Sequence, residues 1–447
     1  MKILIVNGSP AGKNSITLQT MEYLKIFFPE HSYETIDAGQ RIKALEKDFS
    51  AARDALEAAD LIIFCYPVYT FLAPAQLHRF LELIEESGAS VAGKFATQVT
   101  TSKHFYDTTA HRFIEDRCAD LGLKYLRGIS QDMDDILTEA GQKDAKAFFR
   151  FIMWNIAGAQ PETQPVQPAG AQPSAAAEGS QTIRVALVAD YAPEDDALIS
   201  MISRFEESFP GTIEKINLRE FPFAGGCLGC FNCAADGKCI YKDGFSDYLR
   251  EHINSADAVV YAFKIKDHSM GYRFKLYDDR QFCNGHRTVT MGRPVGYLVD
   301  GKLSAEENLR TVIEARSQVG GNYLAGVATD ETDPGAEIDR LVKTLVYTIK
   351  NGYTQPKNFY GVGGLKIFRD LIYQMQGLMR EDHRFYKKHG FYDFPQKKKG
   401  RLIGMYLVGA MMKNKKLSKK FSMTDGMMMS YGKMIKKAKE EKVRNGD

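Results

Sequence analysis

The chain has 447 residues, of which 59 are Lys or Arg and 56 are Asp or Glu. This length predicts about three domains of ordinary size. The total charge is nearly balanced, and the sequence contains no recognised nucleic-acid-binding motif. The longest apolar run has about eleven residues, which is too short to span a bilayer. The chain opens directly on an apolar strand with no signal peptide, so we expect a cytoplasmic protein that binds no nucleic acid.

A strand, loop and helix pattern at the start of the chain predicts an anion-binding loop. The apolar run 3–6 indicates a buried parallel strand, and apolar residues then recur at helical spacing over 18–28. The loop between them lies at a helix N-terminus, where backbone N–H groups and the helix dipole favour a phosphate. Ser9, Ser15 and Thr17 add hydroxyl donors. An ordinary turn is the alternative, because Gly, Ser and Asn are common in turns.

Two further loops follow apolar strands, and parallel strands bring such loops to one edge of a sheet, where ligands bind. The run 60–66 leads into Pro67, Val68 and Tyr69, and the run 95–100 leads into Thr101 and Ser102. Four side chains near the third loop are candidates for contacting a flavin or substrate, with ordinary loop roles as the alternative: His104, Tyr106, Asp107 and His111. No catalytic residue is identified.

With these motifs the chain resembles the flavodoxin-like NAD(P)H-dependent FMN reductases and iron-sulfur flavoproteins. The matching residues are Gly8-Ser9-Pro10 with Ser15 and Thr17, then Pro67-Val68-Tyr69, and then Pro74 with Leu77 and Phe80. The resemblance implies that the first loop holds the FMN phosphate and that the next two flank the flavin ring. We therefore expect FMN to contact ten residues: Ser9, Pro10, Ser15, Ile16, Thr17, Pro67, Val68, Tyr69, Thr101 and Ser102.

The resemblance also implies NAD(P)H as an electron donor. Ala11, His78 and Glu82 depart from the family pattern, and these departures bear more on NAD(P)H use than on FMN binding.

An internal repeat predicts two flavodoxin-like domains in tandem, each a doubly wound α/β sheet. Ile183–Ala189 repeats the first strand, Asp257 with its apolar run repeats Asp60, and Gly292-Arg293 repeats Gly93-Lys94. Between the copies, residues 157–181 are rich in Pro, Ala and Gln, which is typical of a flexible linker. The first predicted domain, residues 1–156, binds FMN. The second, residues 182–355, is a degenerate copy whose acidic first loop repels phosphate. Residues 356–447 are predicted to form a helical tail.

The second copy contains a compact cysteine motif, formed by Cys227, Cys230, Cys233 and Cys239. Four thiolates on a glycine-rich loop match either an iron-sulfur cluster or a zinc ion, and the close spacing favours a cluster. The family resemblance implies a four-iron four-sulfur (4Fe-4S) cluster that passes electrons to FMN. A metal-free loop stays open as an alternative.

Residues 355–447 form a basic, methionine-rich segment. They hold 22 Lys and Arg against 8 Asp and Glu, and ten of the 17 methionines. Such helices are suited to an anionic membrane surface, to an acidic electron carrier such as a ferredoxin, or to packing on the two domains. A homo-oligomer also stays open.

Together these features predict an FMN-dependent electron-transfer iron-sulfur flavoprotein that exchanges electrons with a small molecule or a protein. Two alternatives stay open: an NAD(P)H-dependent FMN or quinone reductase without a cluster, and a non-catalytic flavin- or metal-binding module.

Overall fold

The computed structural model describes residues 1–69, 71–158, 182–412 and 423–445. The chain forms two compact units: unit 1 comprises Met1–Pro168 with Pro395–Asp447, and unit 2 comprises Ala169–Phe394. Nearly all of the predicted linker, residues 159–181, lies outside the described residues.

Unit 1 contains a parallel sheet in the strand order β2-β1-β3-β4-β5, with β6 pairing further along β4. The 2-1-3-4-5 order is that of the flavodoxin-like doubly wound fold. The strands are β1 Lys2–Asn7, β2 Ser32–Ile36, β3 Leu61–Pro67, β4 Phe95–Ser102, β5 Lys124–Tyr125 and β6 Ile129–Asp132.

Helices cover both faces of this sheet, which explains why its central strands are almost continuously apolar. Ile3 and Ile5 of β1 face one core, and Leu4 and Val6 face the other. The helices of the N-terminal segment are α1 Ile16–Phe27, α2 Ala38–Leu45, α3 Ser50–Ala58, α4 Ala75–Glu86, α5 Asp107–Asp120 and α6 Glu139–Gly158.

Unit 1 is completed by helices from the far end of the chain, α15 Lys399–Met412 and α16 Met423–Asn445. Tyr431, Met434 and Ala438 of α16 are buried in the same core as α1 and α6. The Tyr431 hydroxyl donates to the Met133 carbonyl at 2.6 Å. Residues more than 250 positions apart in sequence therefore share one core.

Unit 2 contains a second parallel sheet in the order β11-β10-β9-β7-β8, which is again 2-1-3-4-5. The predicted fold class, two doubly wound sheets in tandem with a helical C-terminal extension, is confirmed. The strands are β7 Arg184–Asp190, β8 Thr212–Asn217, β9 Ala258–Lys264, β10 Pro294–Asp300 and β11 Tyr323–Thr329.

The internal repeat extends to individual hydrogen bonds. The Asp60 carboxylate accepts from the backbone N–H of Lys2 at 2.7 Å, and the Asp257 carboxylate accepts from that of Arg184 at 2.9 Å. Gly93 N–H donates to a carbonyl at 2.7 Å, and Gly292 N–H does so at 2.8 Å. Equivalent residues thus fix the start of equivalent strands in both units.

Unit 2 also includes part of the predicted tail. Its helices are α7 Asp196–Ser208, α8 Asn232–Asp236, α9 Phe245–Tyr248, α10 Gly271–Arg280, α11 Glu307–Gly320, α12 Pro334–Asn351, α13 Phe359–Gln374 and α14 Arg380–Lys388. Ala234 of α8 packs in a small core with Ile372, Met379 and Tyr386 of the α13–α14 segment. Among the described residues, no helix has the length and apolar character needed to cross a membrane.

Candidate functional site

The first loop of unit 1 is held in one shape by Asn7, the last residue of β1. The Asn7 amide nitrogen donates to the Gly12 carbonyl and to the Asp37 carboxylate, both at 2.9 Å, and its amide oxygen accepts from Ser9 N–H at 3.3 Å. Gly12 has φ +56°, and a Cβ there would lie 2.3 Å from the Gln40 side chain. A glycine is therefore required at this turn.

Buried hydroxyl groups gather where this loop enters α1. Ser9, Ser15, Thr17 and Thr101 are each at most 4% exposed, and the Thr17 and Thr101 hydroxyls lie 2.6 Å apart. Ser15 caps α1, since its hydroxyl accepts from Leu18 N–H at 3.3 Å. The amides of the first turn have no acceptor within the helix. This end of the sheet is therefore a cluster of donors at a positive helix terminus.

These groups line one cavity of about 350 Å³. Nine of the ten predicted FMN contacts line it, and Pro10 does not. None of the described residues that line it is acidic. The cavity therefore suits a phosphate ester. Seven lining residues were not predicted as FMN contacts: Ala11, Asn14, Phe71, Lys103, Phe105, Met133 and Met428.

The rim of this cavity carries exposed aromatic rings on strained loops. Tyr69 is 50% and Phe105 is 60% exposed. In the described part of unit 1, every non-glycine residue with positive φ lies in the second or third loop: Phe71, His104 and Tyr106. Such conformations cluster at ligand sites, where the surrounding structure holds them. The Phe71 and Tyr106 rings meet edge-on at 4.7 Å.

A buried polar network holds the third loop. The Asp107 carboxylate accepts from Ser130 at 2.7 Å and pairs with His104 Nδ1 at 3.0 Å, while His104 N–H donates to Ser102 at 2.8 Å. Burial works to raise the pKa of Asp107, but hydrogen bonds and nearby histidines leave it below its ordinary value. Burial lowers the pKa of His111 to about 4.

For the four candidate side chains of the third loop, the structure favours the ordinary loop roles that the sequence left open. His104, Tyr106, Asp107 and His111 are not among the residues that line the cavity. His104 and Asp107 support the loop that supplies Thr101 and Ser102, and His111 Nε2 lies 2.8 Å from the Thr100 hydroxyl.

A second cavity, of about 380 Å³, lies in unit 2 and is lined by all four motif cysteines. Cys227 and Cys230 are exposed, and Cys233 and Cys239 are partly buried. Cys283 and His286 line the same cavity and were not predicted to do so. In the described parts of the chain, no three His, Cys, Asp or Glu side chains stand close enough together to hold one metal ion.

Arg280 joins the two ends of the cysteine loop, residues 224–243. Its guanidinium, 1% exposed, donates to both Asp243 oxygens and to the Gly225 carbonyl, each at 2.8 Å. It also lies 4.3 Å from the centre of the Tyr241 ring. The hydrogen bonds from Arg280 lower the pKa of Asp243 to about 2. This ion pair closes the base of the loop that carries the thiols.

Asp382 of α14 forms a second anchor behind the cysteines. This fully buried carboxylate accepts from Arg287 at 2.7 Å and from His286 Nδ1 at 2.9 Å. Arg287 in turn donates to the Cys233 carbonyl at 3.1 Å. The Cys233 thiol donates to the Phe282 carbonyl at 2.8 Å, and burial raises its pKa to about 11. Burial therefore favours the protonated thiol at this position.

The corresponding sheet edge of unit 2 carries carboxylates. Asp190, Asp195 and Asp300 are buried there, and Lys264 lies 3.3 Å from Asp300 and 4.0 Å from Asp195. Burial raises the pKa of Asp300. Carboxylates at this edge disfavour a second anion, which supports the prediction of one FMN per chain.

Comparisons with known proteins agree with this architecture. Residues 1–132 match a family described as having a flavodoxin-like fold. An iron-sulfur flavoprotein of Archaeoglobus fulgidus is 26% identical over 174 residues, which cover 37% of this chain and 79% of that protein. Unit 1 is therefore a flavodoxin-like domain, and the family resemblance seen in the sequence is confirmed.

Two solved structures resemble about a third of the chain. An FMN-dependent NADH-azoreductase from Bacillus anthracis, in complex with FMN, is 13% identical and covers 34% of this chain and 98% of its own, with a TM-score of 0.27. The NAD(P)H:(acceptor) oxidoreductase FerB from Paracoccus denitrificans is 16% identical. The match covers 35% of this chain and 95% of FerB, with a TM-score of 0.29.

Proposed function

We propose that this chain is an FMN-dependent oxidoreductase with its flavin in the cavity of unit 1. One observation carries the proposal: buried hydroxyls and the first turn of α1 meet an aromatic rim around a cavity without acidic residues. The hydroxyls suit a phosphate tail and the rim suits a flat ring. The match to the flavodoxin-like family supports this assignment.

The residues present have distinct roles in this proposal. Ser9, Ser15 and one hydroxyl of the Thr17–Thr101 pair would donate hydrogen bonds to the phosphate, and Tyr69 would cover the ring at the second loop. The Asp107 network fixes the third loop. FMN, when bound, supplies the hydride and electron chemistry, so the chain need only bind, orient and exclude water.

We further propose that the cysteine motif of unit 2 holds a 4Fe-4S cluster. Support comes from the four thiols that line one cavity and from the name of the Archaeoglobus relative. Cys227, Cys230, Cys233 and Cys239 are the proposed ligands, and each must lose its proton on binding. The cluster would make the protein an electron-transfer flavoprotein; its donor or acceptor is then a small molecule or a protein such as a ferredoxin.

A reductase without a cluster is the second candidate, and the NAD(P)H-dependent names of the structural neighbours favour it. The decisive experiment measures FMN, iron and sulfide in anaerobically purified and reconstituted protein, followed by steady-state turnover with NAD(P)H and an artificial acceptor. FMN with four irons per chain supports the first function. FMN without iron, together with NAD(P)H turnover, supports the second. Protein that binds no FMN contradicts both.

Ser15→Asp tests the location of the flavin. Aspartate is as good a helix N-cap as serine, so α1 keeps its cap while a carboxylate enters the cavity. We expect FMN affinity to fall at least tenfold, since one misplaced charge changes binding by more than about 1.4 kcal/mol. Thr35→Asp, at an exposed position of β2, is the control and should bind FMN normally.

A further inference from the structure

A third cavity, of about 190 Å³, lies in unit 2 between α10, α11 and the sheet. Its lining includes Asn254, Val295 and Asn322, which lie close to the amino ends of β9, β10 and β11. A flavodoxin-like sheet binds its ligand at the opposite edge, beyond the carboxyl ends of the strands. This cavity is therefore separate from the site that the fold predicts.

The internal repeat provides a comparison for this cavity within the same chain. Tyr261 and Tyr297, which are neighbours on β9 and β10, correspond to Phe64 and Gln98 of unit 1. Phe64 and Gln98 are 0% exposed, and the Tyr66 hydroxyl donates to the Gln98 side chain at 2.6 Å. Tyr261, by contrast, is partly exposed, although the residues on both sides of it in this central strand are buried. The cavity therefore reaches the sheet in unit 2, at a position that is closely packed in unit 1.

Aromatic and aliphatic side chains form most of the walls of this cavity. The centre of the Tyr261 ring lies 5.2 Å from that of Tyr297 and 5.7 Å from that of Phe274. Val312 and Ile313 line the cavity from α11. An apolar protein cavity of about 150 Å³ is large enough to bind benzene. A volume of about 190 Å³ therefore accommodates one aromatic ring with a small substituent.

The charges around the cavity are balanced. Two arginines line it, and each has a carboxylate partner: Arg316 donates to Asp278, and Arg287 donates to Asp382 at 2.7 Å. A charged ligand would disturb this balance in a partly buried site, where charges are weakly screened. Burial raises the pKa of Tyr261, so its hydroxyl keeps its proton at neutral pH. The polar groups therefore favour a neutral ligand that forms hydrogen bonds.

We propose that this cavity binds a neutral, single-ring phenol. The aromatic walls contact the ring, and the ligand hydroxyl accepts a hydrogen bond from Arg316 and donates one to Asp278. The cavity shares Phe282, Gly285 and His286 with the cavity of the motif cysteines, so the ligand lies beside the cysteine loop. Binding needs neither FMN nor a cluster, because every lining residue belongs to unit 2 and none is a motif cysteine.

Ligand-observed NMR titration of the full-length protein at pH 7 tests this proposal with phenol, benzoate and benzylamine. We expect phenol to bind with a dissociation constant on the order of 1 mM, as is typical of so small a ligand. The two charged compounds should bind at least roughly tenfold more weakly. Val312→Phe should abolish phenol binding, because the added ring fills the cavity from α11. Val346→Phe is the matched control, since Val346 packs in the core on the other face of the sheet.

Asp278→Asn tests the charge balance separately. It leaves Arg316 without this carboxylate partner, so benzoate should bind at least roughly tenfold more tightly than it binds to the unchanged protein. Asp279→Asn, a neighbouring change outside this cavity, should leave benzoate binding weak. Circular dichroism shows whether each variant folds, and the comparison of the three compounds in the unchanged protein relies on no variant. Absence of phenol binding, equal binding of the three compounds, or phenol binding that survives in folded Val312→Phe overturns the proposal. So does an unchanged benzoate affinity in folded Asp278→Asn.

Discussion

Asp243 and Arg280 form a buried ion pair with two parallel hydrogen bonds of 2.8 Å, and this pair closes the loop that carries the four cysteines. The two residues are 37 positions apart in sequence. Arg280 also donates to the Gly225 carbonyl at the other end of the loop. The loop is therefore anchored at its base, while Cys227 and Cys230 are exposed to solvent.

Asp243→Asn should destabilise unit 2 in a pH-dependent manner. The variant leaves the Arg280 charge buried without its partner, which costs about 3 kcal/mol at neutral pH. The pKa of Asp243 is about 2 in the folded protein, against 3.8 for an unperturbed carboxyl. Since the folded value is depressed, about 2 kcal/mol of stability is fully present above pH 4 and disappears as the pH falls towards 2.

Urea unfolding followed by far-ultraviolet circular dichroism measures this difference between pH 7 and pH 2. The single tryptophan, Trp154 on α6, reports on unit 1 and separates its transition from that of unit 2. Asp247→Asn is the control, because Asp247 pairs with Arg250 but is 76% exposed. A difference between Asp243→Asn and the unchanged protein that stays constant down to pH 2 contradicts the prediction.

Asp382→Asn should loosen the cysteine loop without affecting the flavin. The change removes the charge that holds Arg287 and His286, and Arg287 positions the Cys233 carbonyl. We expect Cys233 to react faster with a thiol reagent and reconstituted iron to fall, while FMN content is unchanged. Glu381→Gln is the neighbouring control. Normal thiol reactivity and normal iron in Asp382→Asn would show that α14 does not position the loop.

Replacement of single cysteines should separate ligands from neighbours in the same cavity. Cys227→Ser, Cys230→Ser, Cys233→Ser and Cys239→Ser are each expected to lower iron content and to leave FMN in place, because the phosphate-binding loop belongs to the other unit. Cys283→Ala is the control, since Cys283 lines the cavity but lies outside the motif. Iron and the visible spectrum measure the outcome. Loss of iron in Cys283→Ala with retention in Cys239→Ser would make Cys283 the fourth ligand.

Tyr431→Phe should destabilise unit 1 by about 1 kcal/mol, because it removes one buried hydrogen bond, to the Met133 carbonyl. Removal of residues 423–447 should cost several kcal/mol more, since it takes three buried side chains from the core. Trp154 fluorescence during urea unfolding measures both effects. Val443→Asp should leave stability unchanged. A shortened chain with normal stability and FMN content would show that α16 is dispensable.

The sequence was sufficient where the determinants are local. The phosphate-binding loop depends on Asn7, Gly12 and Ser15 within nine positions, so its hydroxyls and helix terminus follow from a short motif. The internal repeat likewise predicts one strand order for both units, and both have it. Four thiols within thirteen residues likewise predict one shared cavity.

The remaining features depend on long-range pairs that leave no local pattern. Asp382 bonds to Arg287, which lies 95 positions away in the sequence. Nothing in the local sequence around Asp382 identifies Arg287 as its partner. Met428 reaches the first cavity through the packing of α16. The sequence also left the role of Asp107 open, because a loop carboxylate near a ligand site looks the same in the sequence whether it contacts the ligand or supports the loop.

The packing of α16 in unit 1 also sets an order of events during synthesis. A ribosome releases residues 1–158 first, then all of unit 2, and only afterwards Met428 and Tyr431. Until then the core beside α1 lacks its final helix, and the first cavity lacks Met428 from its lining. With the flavin placed as proposed, we expect its capture to be a late step in the biogenesis of this protein. A nascent chain stalled before residue 423 would have to keep the exposed face of α1 from aggregating.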